Sequence, residues 1–274
     1  PTLLLLSNEV GETPSEGAVT LAAVVELVHM ATLVHDDAVD HSVLRRGMPT
    51  VNALWNHQNA IIMGDYLYSR SISELAAFGR VELIAVLSKA ANEMSVGEMR
   101  QLASCDALGY TEEEYYRLIS CKTASLMSAA CEVGALAGAE EYREPLARFG
   151  HNLGMAFQIV DDLLDYTETE AVTGKPSGHD LREHKVTLPL IAALAEMGPG
   201  ARRVVEEFFA DPEPTDEGID RVVGLVHEHA GLTYARERAL EYGARAEEAL
   251  APLPPGEATD ALRDAVAYVI DRRR

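Results

Sequence analysis

Two stretches decide how this chain is read: His35-Asp36-Asp37-Ala38-Val39-Asp40 and Val160-Asp161-Asp162-Leu163-Leu164-Asp165. Both have the form DDxxD and both sit inside apolar segments with helical spacing. Asp is a poor residue for a helix interior, so three within five positions need a reason. On a helix, Asp36 and Asp40 stand one turn apart on one face, and so do Asp161 and Asp165. Each motif therefore presents two carboxylates to one side. The flanks (Leu33-Val34, Phe157-Gln158-Ile159-Val160, Leu163-Leu164) are apolar, which argues against a solvated acidic face. Buried carboxylates without compensation cost several kcal/mol each. A cation between the two motif helices would remove that cost. Mg2+ suits the pattern, because it is commonly held by one or two carboxylates plus waters and substrate phosphates.

Outward from the motifs, helical spacing fills the chain. Val19 to Val39 carries an apolar stripe at Val24, Leu27, Val28, Ala31 and Val34. Thr111 followed by Glu112-Glu113-Glu114 reads as an N-cap with acids in the first turn, opening a helix expected to run through Tyr115 to about Leu136. Further helices are expected from about Pro145 to Tyr166 and after Val186, with Pro189 near the start. No Asn-Gly, Asp-Gly or Gly-Gly dipeptide occurs, so the strongest short hairpin signals are absent. Breaks fall at Gly11–Pro14, Gly47–Pro49, Gly174–Gly178, Gly198–Gly200, Pro212–Pro214 and Pro252–Gly256, none long enough for an interdomain linker. The expectation is an all-α, single-domain bundle of ten or more helices around a central cavity, covering 1–274.

Composition narrows the function. Among 274 residues, 44 acids against 23 Lys and Arg give a net charge of −21. That leaves no footprint for nucleic acid, whose binders cluster positive charge. Hydrophobic content of 47 % supports a core and excludes a disordered chain. Cys105, Cys121 and Cys131 show no CxxC spacing, so reduced, buried thiols are expected. No apolar run is expected to reach the ~18 residues of a membrane helix, because Leu3–Leu6 is short and Glu26 and His29 interrupt the next stretch. No signal peptide is visible, and the chain is read as cytoplasmic, without stable membrane insertion.

Six acids exceed the needs of one ion, and a Mg2+ cluster bridging to a diphosphate accounts for the surplus. A diphosphate also needs cations, concentrated locally in so acidic a chain. Arg45-Arg46 follow the first motif beside Gly47 and Pro49; Lys175 lies ten residues past Asp165 in Gly174-Lys175-Pro176-Ser177-Gly178, with Asp180 and Lys185 beyond. This is not a P-loop, since Pro176 replaces the Ser or Thr. Singly, each basic residue reads as a surface ion-pair partner; flanking twin carboxylate motifs, they form the other half of a phosphate site.

These residues resemble a known family. His29 through Asp40, continued by Arg45-Arg46-Gly47, is similar to the first aspartate-rich motif of the trans-isoprenyl (polyprenyl) diphosphate synthases. Phe157 through Asp165, with Gly174-Lys175, Gly178, Asp180-Leu181 and Lys185-Val186-Thr187-Leu188-Pro189, is similar to the second. Gly97-Glu98-Met99-Arg100-Gln101-Leu102 and Lys122-Thr123-Ala124 match the intermediate motifs in order, and Tyr268 to Arg274 resembles the basic tail. The resemblance implies that Asp36, Asp40 and Asp161 ligate Mg2+ with Asp165 in the ligand set, Asp37 and Asp162 completing or supporting the shells, and three ions gathering around a bound diphosphate. It implies that Arg45, Lys122, Gln158, Lys175 and Lys185 hold an allylic diphosphate and that Arg46 and His29 bind isopentenyl diphosphate. Thr123 and Gln158 are expected to hydrogen-bond the reacting end. Asp36, Asp37, Asp40, Asp161, Asp162, Lys122 and Lys175 form the implied catalytic set, in a cytoplasmic homodimer. The family's Gly-Gly-Lys-Arg-x-Arg-Pro motif would end where Pro1 stands, so a truncated N-terminus is expected.

Ala31-Thr32 sets the expectation for product length. Ala31 lies five residues before Asp36, about 7.5 Å along the axis, where short-chain members commonly carry an aromatic floor. Small residues there resemble the medium- and long-chain members, implying a product beyond C20; the competing reading has Ala31 serving tight packing, with Met30, Met94 or Met99 closing the tunnel. The rival functions are a short-chain synthase, a class I terpene cyclase, a non-catalytic subunit of a heteromeric synthase and a structural metal-binding bundle. Val160 to Asp165 lacks the cyclase's second metal pattern, a non-catalytic subunit would lose aspartates kept here, and a structural bundle needs no Arg45-Arg46 or Lys175.

Overall fold

A computed structural model of the chain describes residues 1–103, 108–167 and 178–272. Cys105 and the Gly174–Ser177 segment with Lys175 lie outside these residues, as do Arg273 and Arg274. The fold is all-α, with more than ten helices among the described residues. Contacts divide it into two compact units: residues 1–92, 126–150 and 252–260, and residues 93–125, 151–251 and 261–274.

In the first unit, α1 (Thr2–Glu9) leads to α2 (Ala18–Val39), which buries Leu21, Val24, Val25, Val28 and Ala31 on one stripe. By length and composition α2 could cross a membrane, with mean hydropathy 1.7 over an 18-residue window. This corrects the expectation that Glu26 and His29 break the run: two polar residues on one helix side barely lower the average. A two-residue hairpin, β1 (Leu44–Arg45) with β2 (Met48–Pro49), follows. Its turn is Arg46-Gly47 with φ of 51° and 75°, positive at both central positions as tight hairpins require. The sequence carried no Asn-Gly signal, because here glycine supplies only the second position and Arg46 accepts the left-handed one. After the short α3 (Val51–Leu54) comes α4 (His57–Phe78), which packs along α2. Asn56 caps α4 through Asn59 N–H at 2.8 Å, and Gly79 ends it at φ 80°.

Helix α5 (Val81–Ala103) carries the Gly97–Leu102 motif. The segment beginning at Thr111 opens as foreseen, with a capping box in which Thr111 and Glu114 exchange bonds. It is not one plain helix, however. Helix α6 (Glu112–Ile119) passes through a π-turn at Ser120–Ala124 into α7 (Ser125–Gly138), so the expected Thr111–Leu136 helix holds one wide turn, at Lys122-Thr123. Small residues bring α1 onto α7: a Cβ on Gly134 would fall well inside contact distance of the Leu4 carbonyl. A 3-10 turn (Glu140–Tyr142) leads into α8 (Arg143–Thr167), close to the expected Pro145–Tyr166.

The second unit carries the C-terminal part of α8. Helices α9 (His179–Arg182), α10 (Leu188–Glu196, with Pro189 in its first turn), α11 (Pro199–Ala210), α12 (Asp216–Glu228), α13 (Gly231–Ala249) and α14 (Glu257–Ile270, its first turn in the first unit) follow. Two apolar clusters organise it. One gathers Tyr115, Ile119, Ala124, Met155, Ile159, Val160, Leu163 and Leu188 with α13. The other gathers Tyr166, Leu181, Leu190, Leu194, Val205, Phe208, Ile219 and Val222. Cys131 is buried, its thiol pushed up to about 12 by burial, whereas Cys121 is only half-buried, against the expectation of buried thiols.

The α1–α7 contact gives a direct test. Gly134→Ala pushes a methyl into the Leu4 carbonyl and is expected to destabilise the protein by about 1–3 kcal/mol, read as a lower urea midpoint at unchanged slope. An unchanged midpoint would mean that α1 does not dock on Gly134.

Candidate functional site

Both aspartate motifs lie near the C-terminal ends of long helices, where exposed carbonyls disfavour further negative charge. Among the described acids of each motif, burial follows one rule. The second Asp turns inward: Asp37 and Asp162 are each 6 % exposed. The first and fifth do not, with Asp36 and Asp165 half-buried and Asp40 and Asp161 exposed. The apolar flanks therefore did not bury the whole motif, because a helix turns about 100° per residue and only the second position points into the core.

The buried acids are compensated by the protein itself. Asp37 accepts from Arg45 Nε at 2.8 Å. Arg45 stands at the end of β1, so the hairpin carries the guanidinium back to the helix that holds the carboxylate. Arg46 is exposed on the hairpin turn. His29, two turns before the motif, is half-buried; burial pushes its imidazole below the ordinary value, Glu26 opposes this, and Arg46 and Arg45 add to the lowering. Ala31 is buried, and the Thr32 hydroxyl donates to the His29 carbonyl at 2.8 Å. His35 packs on Gly64 and meets the Ile61 carbonyl at 3.1 Å and Asp65 at 3.4 Å.

In the second unit, Asp162 accepts from Tyr115 Oη at 2.6 Å and from Gln158 Nε2 at 2.8 Å. Gln158 in turn accepts from the Thr123 hydroxyl at 2.7 Å. Burial and then the charge of Asp180 hold the Asp162 carboxyl well above the usual range. Lys122 leaves the π-turn toward Glu98 Oε2 at 2.6 Å and Gln101 Oε1 at 3.1 Å. The two intermediate motifs thus meet, and Gly97 lets them: a Cβ there would press on Cys121. Such wide turns recur at functional sites. Asp165 accepts from the backbone N–H groups of His179 and Asp180, both at 3.0 Å, tying α9 to α8. Lys185 pairs with Glu183 at 2.5 Å. Arg272 reaches Asp161 at 3.2 Å while its guanidinium lies over the Phe157 ring, 4.8 Å from the centroid. Tyr115 and Arg272 were not singled out as site residues by sequence reasoning, since their partners lie 47 and 111 residues away.

Comparison with known proteins bears on this arrangement. The polyprenyl synthetase family model matches residues 1–226. The all-trans-nonaprenyl-diphosphate synthase (geranyl-diphosphate specific) of Rhodobacter capsulatus is 41 % identical over 270 residues, covering 98 % of this chain and 82 % of that protein. The chain belongs to the polyprenyl synthetase family. Among solved structures, a decaprenyl diphosphate synthase from Rhodobacter capsulatus aligns with TM-score 0.93 at 38 % identity, over 99 % of this chain and 84 % of that one. A polyprenyl synthase from Caulobacter crescentus CB15, complexed with calcium and isoprenyl diphosphate, aligns with TM-score 0.93 at 33 % identity, over 99 % and 84 %.

The donor set fits a hard divalent cation. Asp36 with Asp40, and Asp161 with Asp165, are carboxylate pairs of the kind Mg2+ takes alongside phosphate oxygens and waters. No group of three or more metal-ligating side chains is preassembled among the described residues. Asp180 reports on the same acidic ground: burial first, then the Asp165 charge, push its carboxyl up to about 7, with Lys185 opposing. Between about pH 4, the ordinary carboxylate value, and pH 7 the folded state keeps a proton that the unfolded state releases. Stability of the metal-free protein is thus expected to fall as pH rises through that window. Melting midpoints of wild type and Asp180→Asn measured from pH 4.5 to 7.5 check this. The gap between them should shift steadily in the variant's favour, and a constant gap would refute it.

Proposed function

We propose that this chain is a Mg2+-dependent trans-prenyltransferase that joins isopentenyl diphosphate head-to-tail to an allylic diphosphate (farnesyl or geranylgeranyl) and makes polyprenyl diphosphates longer than C20. The observation that carries this reading is the repeated carboxylate geometry: an outward i,i+4 pair with the acid between them anchored in the core. In each motif the inner acid is buried, while the first and fifth acids are half-buried or exposed. Membership of the polyprenyl synthetase family supports the reaction class.

Bound Mg2+ would supply charge neutralisation at the leaving diphosphate, which favours ionisation of the allylic C1–O bond. Asp36, Asp40, Asp161 and Asp165 would hold the three ions. Arg45, Lys122, Gln158, Lys175 and Lys185 are assigned to the allylic diphosphate, and Arg46 and His29 to isopentenyl diphosphate. Burial pushes the His29 imidazole below its ordinary value, and a ring N–H can donate a hydrogen bond to a diphosphate oxygen. The isopentenyl double bond attacks C1 of the allylic cation, a C–C bond forms, and the proton lost from the adduct goes to the released diphosphate. The allylic cation must be kept from water, which calls for apolar surroundings. The reading includes a single synthetase domain working as a homodimer in the cytoplasm.

Product length is assigned to the stripe of α2 below the first motif. Ala31 is 2 % exposed, and Thr32 spends its hydroxyl on its own helix, so neither side chain offers a bulky or polar stop. Incubation with Mg2+, isopentenyl diphosphate and farnesyl diphosphate, followed by mass spectrometry of the extract, is expected to give a ladder ending beyond C20. Ala31→Phe is expected to shorten that ladder. Cyclised hydrocarbon, or the absence of any elongated product, would refute the reading.

A further inference from the structure

The Tyr115 side chain lies in the core of the second unit, 2 % exposed, yet its hydroxyl is aimed at an aspartate motif rather than at backbone. The bonds run in a line: Tyr115 Oη to Asp162 Oδ2, Gln158 Nε2 to Asp162 Oδ1, and Thr123 Oγ1 to Gln158 Oε1, at 2.6, 2.8 and 2.7 Å. Asp162 accepts on both oxygens, and the Gln158 amide faces it with Nε2. That leaves Oε1 to receive Thr123, so the orientation of both polar groups follows from the far end. Thr123 adjoins Lys122 on the π-turn, and Gln158 stands one helical turn before Asp161. The line therefore ties the wide turn to the second motif.

We propose that Tyr115 is a positioning residue for the transfer reaction, setting the pose of Gln158 and Thr123 through Asp162. The inference rests on the prenyltransferase reading above. Without the hydroxyl, Asp162 Oδ2 loses its donor in a dry core, the carboxyl can turn about χ2, and the Gln158 amide loses the partner that fixes its orientation. Small misplacements of groups that orient reactants cost rate out of proportion to their size.

The test uses the full chain as wild type, Tyr115→Phe, Thr123→Val, the double variant and Asp162→Asn, assayed with Mg2+, isopentenyl diphosphate and farnesyl diphosphate. Tyr115→Phe is expected to lower kcat about tenfold, with KM for isopentenyl diphosphate changed by less than about twofold. The double variant should be no slower than the slower single, because both act through one line of bonds. Asp162→Asn keeps the volumes but places a donor where an acceptor stood, reversing one limb of the line. It is expected to show a similar loss of about tenfold, and it carries the test should Tyr115→Phe fail to fold. Losses that multiply in the double variant, or a kcat within about twofold of wild type in Tyr115→Phe or Asp162→Asn, overturn the inference alone. A wild type without turnover overturns the reading of function, and this inference with it.

Discussion

Burial of one carboxylate in each DDxxD motif governs the rest of the site. A charge in the core is tolerated only with a close partner, and the chain supplies two different ones. Asp37 takes the Arg45 guanidinium, brought over by a hairpin whose turn forces Arg46 and Gly47 to positive φ. Asp162 takes a phenol and an amide, and burial leaves its carboxyl reluctant to ionise. With the second acid pinned inward, helical geometry leaves the first and fifth acids together on another face. Anchoring and presentation are thus one event, repeated in each unit.

The electrostatics follow from that arrangement. A net charge of −21 makes any added anion unwelcome unless cations are placed by design. Each motif also sits near a helix C-terminus, where the macrodipole compounds the repulsion. Several cations near the motifs are held close by carboxylates: Lys122 by Glu98, Lys185 by Glu183, Arg272 by Asp161. Such pairs keep lysine and arginine ordered without neutralising them by burial. Under the proposed function, a diphosphate with divalent cations would compete for these pairs, drawing the basic groups to its oxygens while the carboxylates take the metal.

Much of this was legible in the sequence because helices announce themselves by period. The stripe of α2, the cap at Thr111, Pro189 in the first turn of α10 and the paired acids all follow from local spacing. The π-turn at Ser120–Ala124 was not legible: a single extra residue in a helical turn changes no periodic signal strongly enough to read. Nor was the hairpin, since Arg46 occupies a left-handed position usually marked by Asn or Gly. The uniform burial expected for the aspartates failed at Asp40 and Asp161, because apolar neighbours in sequence lie around the helix rather than beside them. The Tyr115–Asp162 bond joins residues 47 positions apart, and in the sequence alone Tyr115 cannot be told from its neighbour Tyr116.

The central claim is that the outward acids hold divalent cation with diphosphate. Calorimetric titration of inorganic pyrophosphate into the Mg2+-loaded protein tests it most directly, comparing wild type with Asp36→Asn and Asp161→Asn. Because loss of even an outer-shell partner commonly weakens metal affinity by about 10–100-fold, each substitution is expected to weaken binding by at least about tenfold. The metal-free melting midpoint should fall little, since neither residue supports the core. Binding retained at wild-type strength in both variants would contradict the account.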